Sequence, residues 1–328
     1  MRNFLCPNCR RVVFFESFEC DGCGTATGYS AESRKMVTLP HPKRRCANHA
    51  TAGCNWVMPE AKAGGLCPSC LVTRTRPNDA DLSGDRDIAD SYIAAEGAKR
   101  RLVFQLLELG LPLDGLNFDL LASKRESVTI GHVDGIVTID LAEFDDAHRE
   151  RLRQELGEPY RTLLGHMRHE VGHFYWEGLA GHDLDRFREL FGDERADYSV
   201  AMERHYRDSP AAGWSEDYVS AYAAAHPWED WAETFAHYLH IRDTLQTAAA
   251  FGVILAGPSL GTAEPTAPSP DPQDRMEDIL ADWIPLASAL NAINRSMGHH
   301  DAYPFVLSLT VMEKLRFVHE MVLATSGW

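Results

Sequence analysis

All eight cysteines of this 328-residue chain lie between Cys6 and Cys70. The 258 residues that follow contain none. A disulfide-stapled secreted protein would rarely confine its cysteines in this way. In a reducing compartment, clustered Cys-x2-Cys pairs bind metal. The first four read Cys6-x2-Cys9, ten residues, then Cys20-x2-Cys23. Each pair predicts a tight knuckle that presents two thiolates to one tetrahedral ion. Gly22 and Gly24 suit the second knuckle, where backbone N–H groups point at sulfur. "RRVVFF" between the knuckles reads as a strand.

This spacing is a zinc-ribbon pattern. The second unit is looser: Cys46, seven residues, Cys54, twelve residues, then Cys67-x2-Cys70. These four cysteines are its natural ligand set. His49 is an alternative to one of them, because Cys46-x2-His49 also has ligand spacing. So short a segment has little core of its own, so bound metal would supply its folding free energy.

Charge divides the chain at the same place. Residues 1–76 carry 11 Lys+Arg against 5 Asp+Glu, a balance of +6. The remainder carries 21 against 43, which brings the whole chain to −16. So acidic a body argues against nucleic-acid binding. Two four-thiolate zinc sites, each about −2, would also cancel much of the basic head. No apolar run is long enough to span a bilayer: "AAAFGVILAG" (Ala248–Gly257) is too short. With no signal-peptide pattern at the start, the expected location is cytoplasmic.

The expected organisation is a zinc-ribbon region over 1–76 and a second domain over 77–328. "TRTRPNDADLSGD" (Thr73–Asp85) reads as a linker. A helix is predicted through "SYIAAEGAKRRLVFQLLELG", ended by Gly110 and Pro112. "SVTIGHVDGIVTIDL" predicts two strands joined at Asp134-Gly135. A helix capped by Asp145 or Asp146 should run through "AHRERLRQEL", and another should begin near Pro159. A Pro-rich loop over 256–275 precedes C-terminal helices over 276–328. The first of these would present Met276, Ile279, Leu280, Trp283, Leu286, Leu290 and Ile293 on one face.

The helix expected after Pro159 carries "RHEVGHFYWE". His169 and His173, four residues apart, share one helix face and can point at one zinc. Glu170, adjacent, can meet a water there without being a ligand. HExxH alone is a weak signal, but the flanking apolar residues bury this helix, and buried histidines need partners. A third ligand is required. Trp176 and Leu179 exclude the long three-histidine motif. Asp193 and Asp197 are one pair of candidates, and Glu229 and Glu233 are the favoured pair. The latter are i and i+4 on a helix fixed by Trp228, Trp231, Phe235 and Tyr238, with Pro227 at its start. Glu229 would bind zinc, and Glu233 would accept a hydrogen bond from a ligand histidine. His237 reads as a core or surface histidine. Tyr222, seven residues before Glu229, is a candidate oxyanion donor, with Tyr218 and His226 as weaker substitutes.

"GHVDGIVTIDL", "HMRHEVGHFYWE" and "SAYAAAHPWEDWAETFAHYL" resemble a bacterial family of zinc-binding metallopeptidases with an N-terminal zinc ribbon. The resemblance covers most of the chain. It implies an α+β protein: zinc-ribbon modules followed by a mainly helical zincin-like domain with a small β-sheet. It also implies a gluzincin arrangement, including the lethal-factor type with a tyrosine seven residues before the ligand glutamate. By position those residues are Tyr222 and Glu229. Glu233 departs from the Asp of thermolysin-like enzymes. The expected ion set is one catalytic zinc and two structural zincs. A peptide or protein substrate is expected, and "GIVTIDL" at a sheet edge could pair with it, unless it is a core strand. The rivals are a zincin-fold binding or regulatory protein without turnover, and a ribbon-led nucleic-acid-associated protein.

Overall fold

Each knuckle of the first cysteine group closes on backbone hydrogen bonds. In the first, the Cys6 N–H donates to Arg11 O and the Arg10 N–H to Cys6 O, with Arg10 in the left-handed region. In the second, the Gly24 N–H donates to Cys20 O at 2.8 Å, and Gly24 has φ +66. The left-handed geometry costs glycine little. The computed structural model describes residues 2–39, 41–125, 127–144, 162–208, 212–257, 261–263 and 275–325. The helix expected through 147–156, the start expected near Pro159 and most of the Pro-rich loop lie outside these residues. Two compact units are present: Met1–Leu107 with Pro112–Arg151, and Glu108–Leu111 with Leu152–Trp328.

The first unit begins with two hairpins, β1 (Phe4–Leu5) with β2 (Val12–Val13) and β3 (Thr27–Ser30) with β4 (Lys35–Thr38). A short helix, α1 (Pro68–Leu71), carries Cys70. The head was expected to have little core, but it has an aromatic one. Phe4, Phe15, Tyr29 and Trp56 are buried, and Phe104 of the long helix α3 (Arg86–Glu108) completes the cluster. Its ring lies 4.9 Å from Phe15 and 5.3 Å from Tyr29. Such pairs stabilise by about 0.5–1.5 kcal/mol each beyond their buried area.

The linker expected over Thr73–Asp85 is structured instead. β5 (Thr73–Thr75) opens a four-stranded sheet, and α2 (Asp79–Gly84) follows, capped by Asn78. The sheet order is β5, β6 (Asn117–Leu121), β8 (Ile136–Asp140), β7 (Gly131–Val133). Arg74 makes a two-bond pair with Asp119 of β6. Thr73 donates to Glu96 of α3 at 2.7 Å, and the fully buried Lys99 reaches the same carboxylate. These polar ties hold β5 to the sheet and to α3, so the packing boundary does not follow the charge boundary at 76.

The Asp134-Gly135 turn forms as the sequence predicts, with φ of 50° and 79° at its two residues. "GIVTIDL" is not at an edge, however. β8 pairs in parallel with β6 and antiparallel with β7. Val137 and Ile139 are wholly buried, so this is a core strand.

The second unit is helical: α4 (Leu163–Leu179), α5 (Leu184–Phe191), α6 (Tyr198–Arg207), α7 (Pro227–Ala250), α8 (Met276–Ser296) and α9 (Leu309–Thr325). A small hairpin joins β9 (Leu255–Gly257) to β10 (Gly261–Ala263). Trp231 of α7 packs with Phe187 and Phe191 of α5 and Phe317 of α9. Lys314 of α9 pairs with Asp230 at 2.6 Å, both nearly inaccessible. On α8, Met276, Ile279, Leu280, Trp283 and Leu286 are buried as expected, but Ile293 is 52% exposed. The named buried stripe ends at Leu286, about two turns short of it. Among the described residues, no helix is long and apolar enough to cross a membrane.

Candidate metal centre and active site

α4 starts where Thr162 accepts a hydrogen bond from the Gly165 N–H. Its motif face lies against α7, and Gly172 is the reason the two helices approach so closely. A Cβ there would sit 2.9 Å from Ala232 Cα and 3.1 Å from its carbonyl oxygen. Trp231 Nε1 donates to Gly172 O at 2.8 Å and locks the crossing. Gly172→Ala is therefore expected to destabilise the chain by about 1–3 kcal/mol through overpacking. Denaturant unfolding of the variant measures this, and an unchanged midpoint would contradict it.

The crossing brings three ligand atoms together. His169 Nε2 lies 3.0 Å from Glu229 Oε2, His173 Nε2 lies 3.4 Å from the same oxygen, and the two nitrogens are 3.1 Å apart. Tetrahedral zinc with bonds of about 2.0–2.2 Å has ligand edges of about 3.3–3.6 Å. The three separations are close to that edge. Glu229 Oε2 is buried with no hydrogen-bond partner. A buried carboxylate oxygen aimed at two imidazole nitrogens is satisfied by a cation between them. The donor set therefore fits zinc.

The surroundings fix each ligand. With Nε2 turned to the cluster, His169 donates from Nδ1 to Glu233 Oε1 at 2.8 Å. Glu233 Oε2 in turn accepts from the Ser220 hydroxyl at 2.6 Å. Glu233 thus bridges His169 and Ser220. Burial pushes His169 toward the neutral form, but Glu229 and Glu233 push its pKa well up. Burial likewise pushes Glu229 up, and the two histidines outweigh it. The site calls for positive charge. Trp228 packs on His173 with ring centroids 4.2 Å apart.

Glu170 is buried beside the ligands. Burial would raise its pKa, but the hydrogen bond with His166 and the neighbouring imidazoles hold it at about 2. It is therefore a carboxylate at neutral pH. His166 Nε2 lies 3.0 Å from Glu170 Oε1. Tyr222 sits over the site, its ring 5.8 Å from that of His169. Burial and then the Glu229 charge raise its pKa above the ordinary tyrosine value, so its hydroxyl stays a donor.

The other candidates lie elsewhere. Asp193 is exposed and paired with Arg195, and Asp197 caps α6 by accepting from the Val200 N–H. Tyr218 faces Lys314, whose Nζ is 4.4 Å from the ring centre. His226 caps α7: its Nδ1 accepts from the Trp228 N–H. His237 is buried against the Tyr303 hydroxyl at 2.6 Å. Three contributors have no place in the sequence reading: Tyr198, whose hydroxyl donates to Glu229 Oε1 at 2.7 Å, Ser220 and His166. Helical spacing from Glu170 would have found His166. Nothing in the sequence marks Tyr198.

In the head, both cysteine groups converge, with the four sulfurs of each within 4.8 Å of one another. Cys6–Cys23 and Cys9–Cys20 are 3.8 and 3.5 Å apart, and Cys54–Cys67 are 3.6 Å apart. Tetrahedral zinc with Zn–S bonds of about 2.3 Å gives edges of about 3.8 Å. His49 is exposed and outside the group.

Paired cysteine knuckles on a ribbon, and a helical unit with two histidines and a carboxylate on crossing helices, define a zinc-binding protein of metallopeptidase type. Residues 89–321 match the family described as "Putative zinc-binding metallo-peptidase", and the chain belongs to it. Residues 3–81 match a zinc-ribbon domain. Proteins of Mycobacterium bovis and Mycobacterium tuberculosis, described as uncharacterized, are each 49% identical over 335 residues, covering 98% of this chain and 95% of theirs. No solved structure matches the chain.

Proposed function

We propose that the chain is a zinc-dependent peptide hydrolase of gluzincin type. The observation that carries this reading is the meeting of His169 Nε2, His173 Nε2 and Glu229 Oε2, with Glu170 adjacent. Zinc held there would lower the pKa of a water toward about 7 and polarise a carbonyl. Glu170, beside the three converging ligand atoms, is placed to accept a proton from a water and to hand it to the leaving amine. Glu233 holds His169 in the tautomer that offers Nε2. The Tyr222 hydroxyl donates to the oxyanion. The cysteine groups each hold one structural zinc, for three ions per chain. The substrate is a peptide or protein, and the location is the cytoplasm.

The test is a peptide-library digest beside elemental analysis. The native chain should carry about three zincs and cleave peptides. His169→Ala should carry about two and cleave none. Cleavage by His169→Ala at the native rate would sink the proposal.

A further inference from the structure

Glu229 presents its two oxygens to different partners. Oε2 faces the two histidine nitrogens, and Oε1 accepts from the Tyr198 hydroxyl at 2.7 Å. Tyr198 is the first residue of α6, a helix with no buried residue. Such a helix is not fixed by a core, yet its start is fixed from both sides. Asp197 caps it, and His226 Nε2 donates to Ala196 O at 3.0 Å. Because His226 Nδ1 accepts from the Trp228 N–H, one neutral imidazole ties the starts of α6 and α7 together. Glu229 lies in the first turn of α7. The Tyr198 ring packs edge-on against His226 and Trp228, at 5.3 and 5.8 Å.

From this we infer that Tyr198 is a positioning residue: its hydroxyl occupies Glu229 Oε1, so the carboxylate offers the metal Oε2 alone. A carboxylate with both oxygens free can bind a cation through both. Here that would fill the coordination position that a catalytic zinc keeps for water and substrate. The phenol thus keeps the site three-coordinate in protein ligands. This inference rests on the metal centre proposed above, and it assigns a role outside the HExxH and glutamate motifs.

The test uses the full chain with zinc left in the cysteine groups and Co(II) loaded at the histidine–glutamate site. The d–d absorption of Co(II) weakens as its coordination number rises. Tyr198→Phe removes one hydroxyl from a helix that buries nothing, so the fold is retained. The variant should still bind one Co(II) at this site, lose d–d intensity, and with zinc cleave peptides about 10–100-fold more slowly. A variant spectrum identical to the native one would overturn the inference, whatever happens to cleavage. Loss of the metal would overturn it too, since Glu229 would then need the phenol to bind at all. A failure of the native chain to cleave peptides, with the spectral change intact, would count against the hydrolase proposal and not against this one.

Discussion

Glu170→Gln is expected to keep all its zinc and lose about 10²–10⁴-fold in peptide cleavage, the usual contribution of a positioned general base. Gln matches Glu in shape, so the α4–α7 crossing is undisturbed. Glu170 is not among the residues whose candidate ligand atoms converge, which are His169, His173 and Glu229. What Gln lacks is the charge. The carboxylate of Glu170 is ionised at neutral pH, held by His166 on one oxygen. That leaves the other oxygen to take a proton, which an amide cannot do. Zinc content and cleavage rate measured on the same preparation decide the matter. Cleavage within tenfold of native, with zinc intact, would remove Glu170 from the mechanism.

Cys54→Ser should have a large effect on the folding of the head. Cys54 is fully buried, 3.6 Å from the Cys67 sulfur. Structural zinc sites of this kind contribute about 10–16 kcal/mol to folding in zinc-finger peptides. A typical domain is stable by only about 5–15 kcal/mol in total. Losing one ligand should therefore release about one zinc and melt the head. Trp56, packed at 5.0 Å from Tyr29, is a built-in fluorescence reporter for this. Elemental analysis showing a full zinc complement, together with a native Trp spectrum, would mean the second cysteine group has no structural role.

The sequence made some of this legible because the relevant geometry is local. Positions i and i+4 put His169 with His173, and Glu229 with Glu233, on single helix faces without reference to the rest of the fold. The Asp134-Gly135 turn was equally local. What the sequence hid depends on distant pairing. β5 is three residues long, and its partner β6 begins 42 residues later in sequence, so Thr73–Thr75 read as linker. Whether "GIVTIDL" is an edge or an interior strand is decided by what lies beside it, and its own alternation does not say. Tyr198 meets Glu229 across 31 positions, and a single tyrosine carries no periodic signal.

The aromatic cluster completed by Phe104 also bears on inheritance. The ribbon match ends at 81 and the peptidase match begins at 89, yet Phe104 fills the interior of the ribbon. The seam between the two families thus runs through one folding unit. Neither piece can be traded to another protein by cutting at that seam without opening a hydrophobic wound.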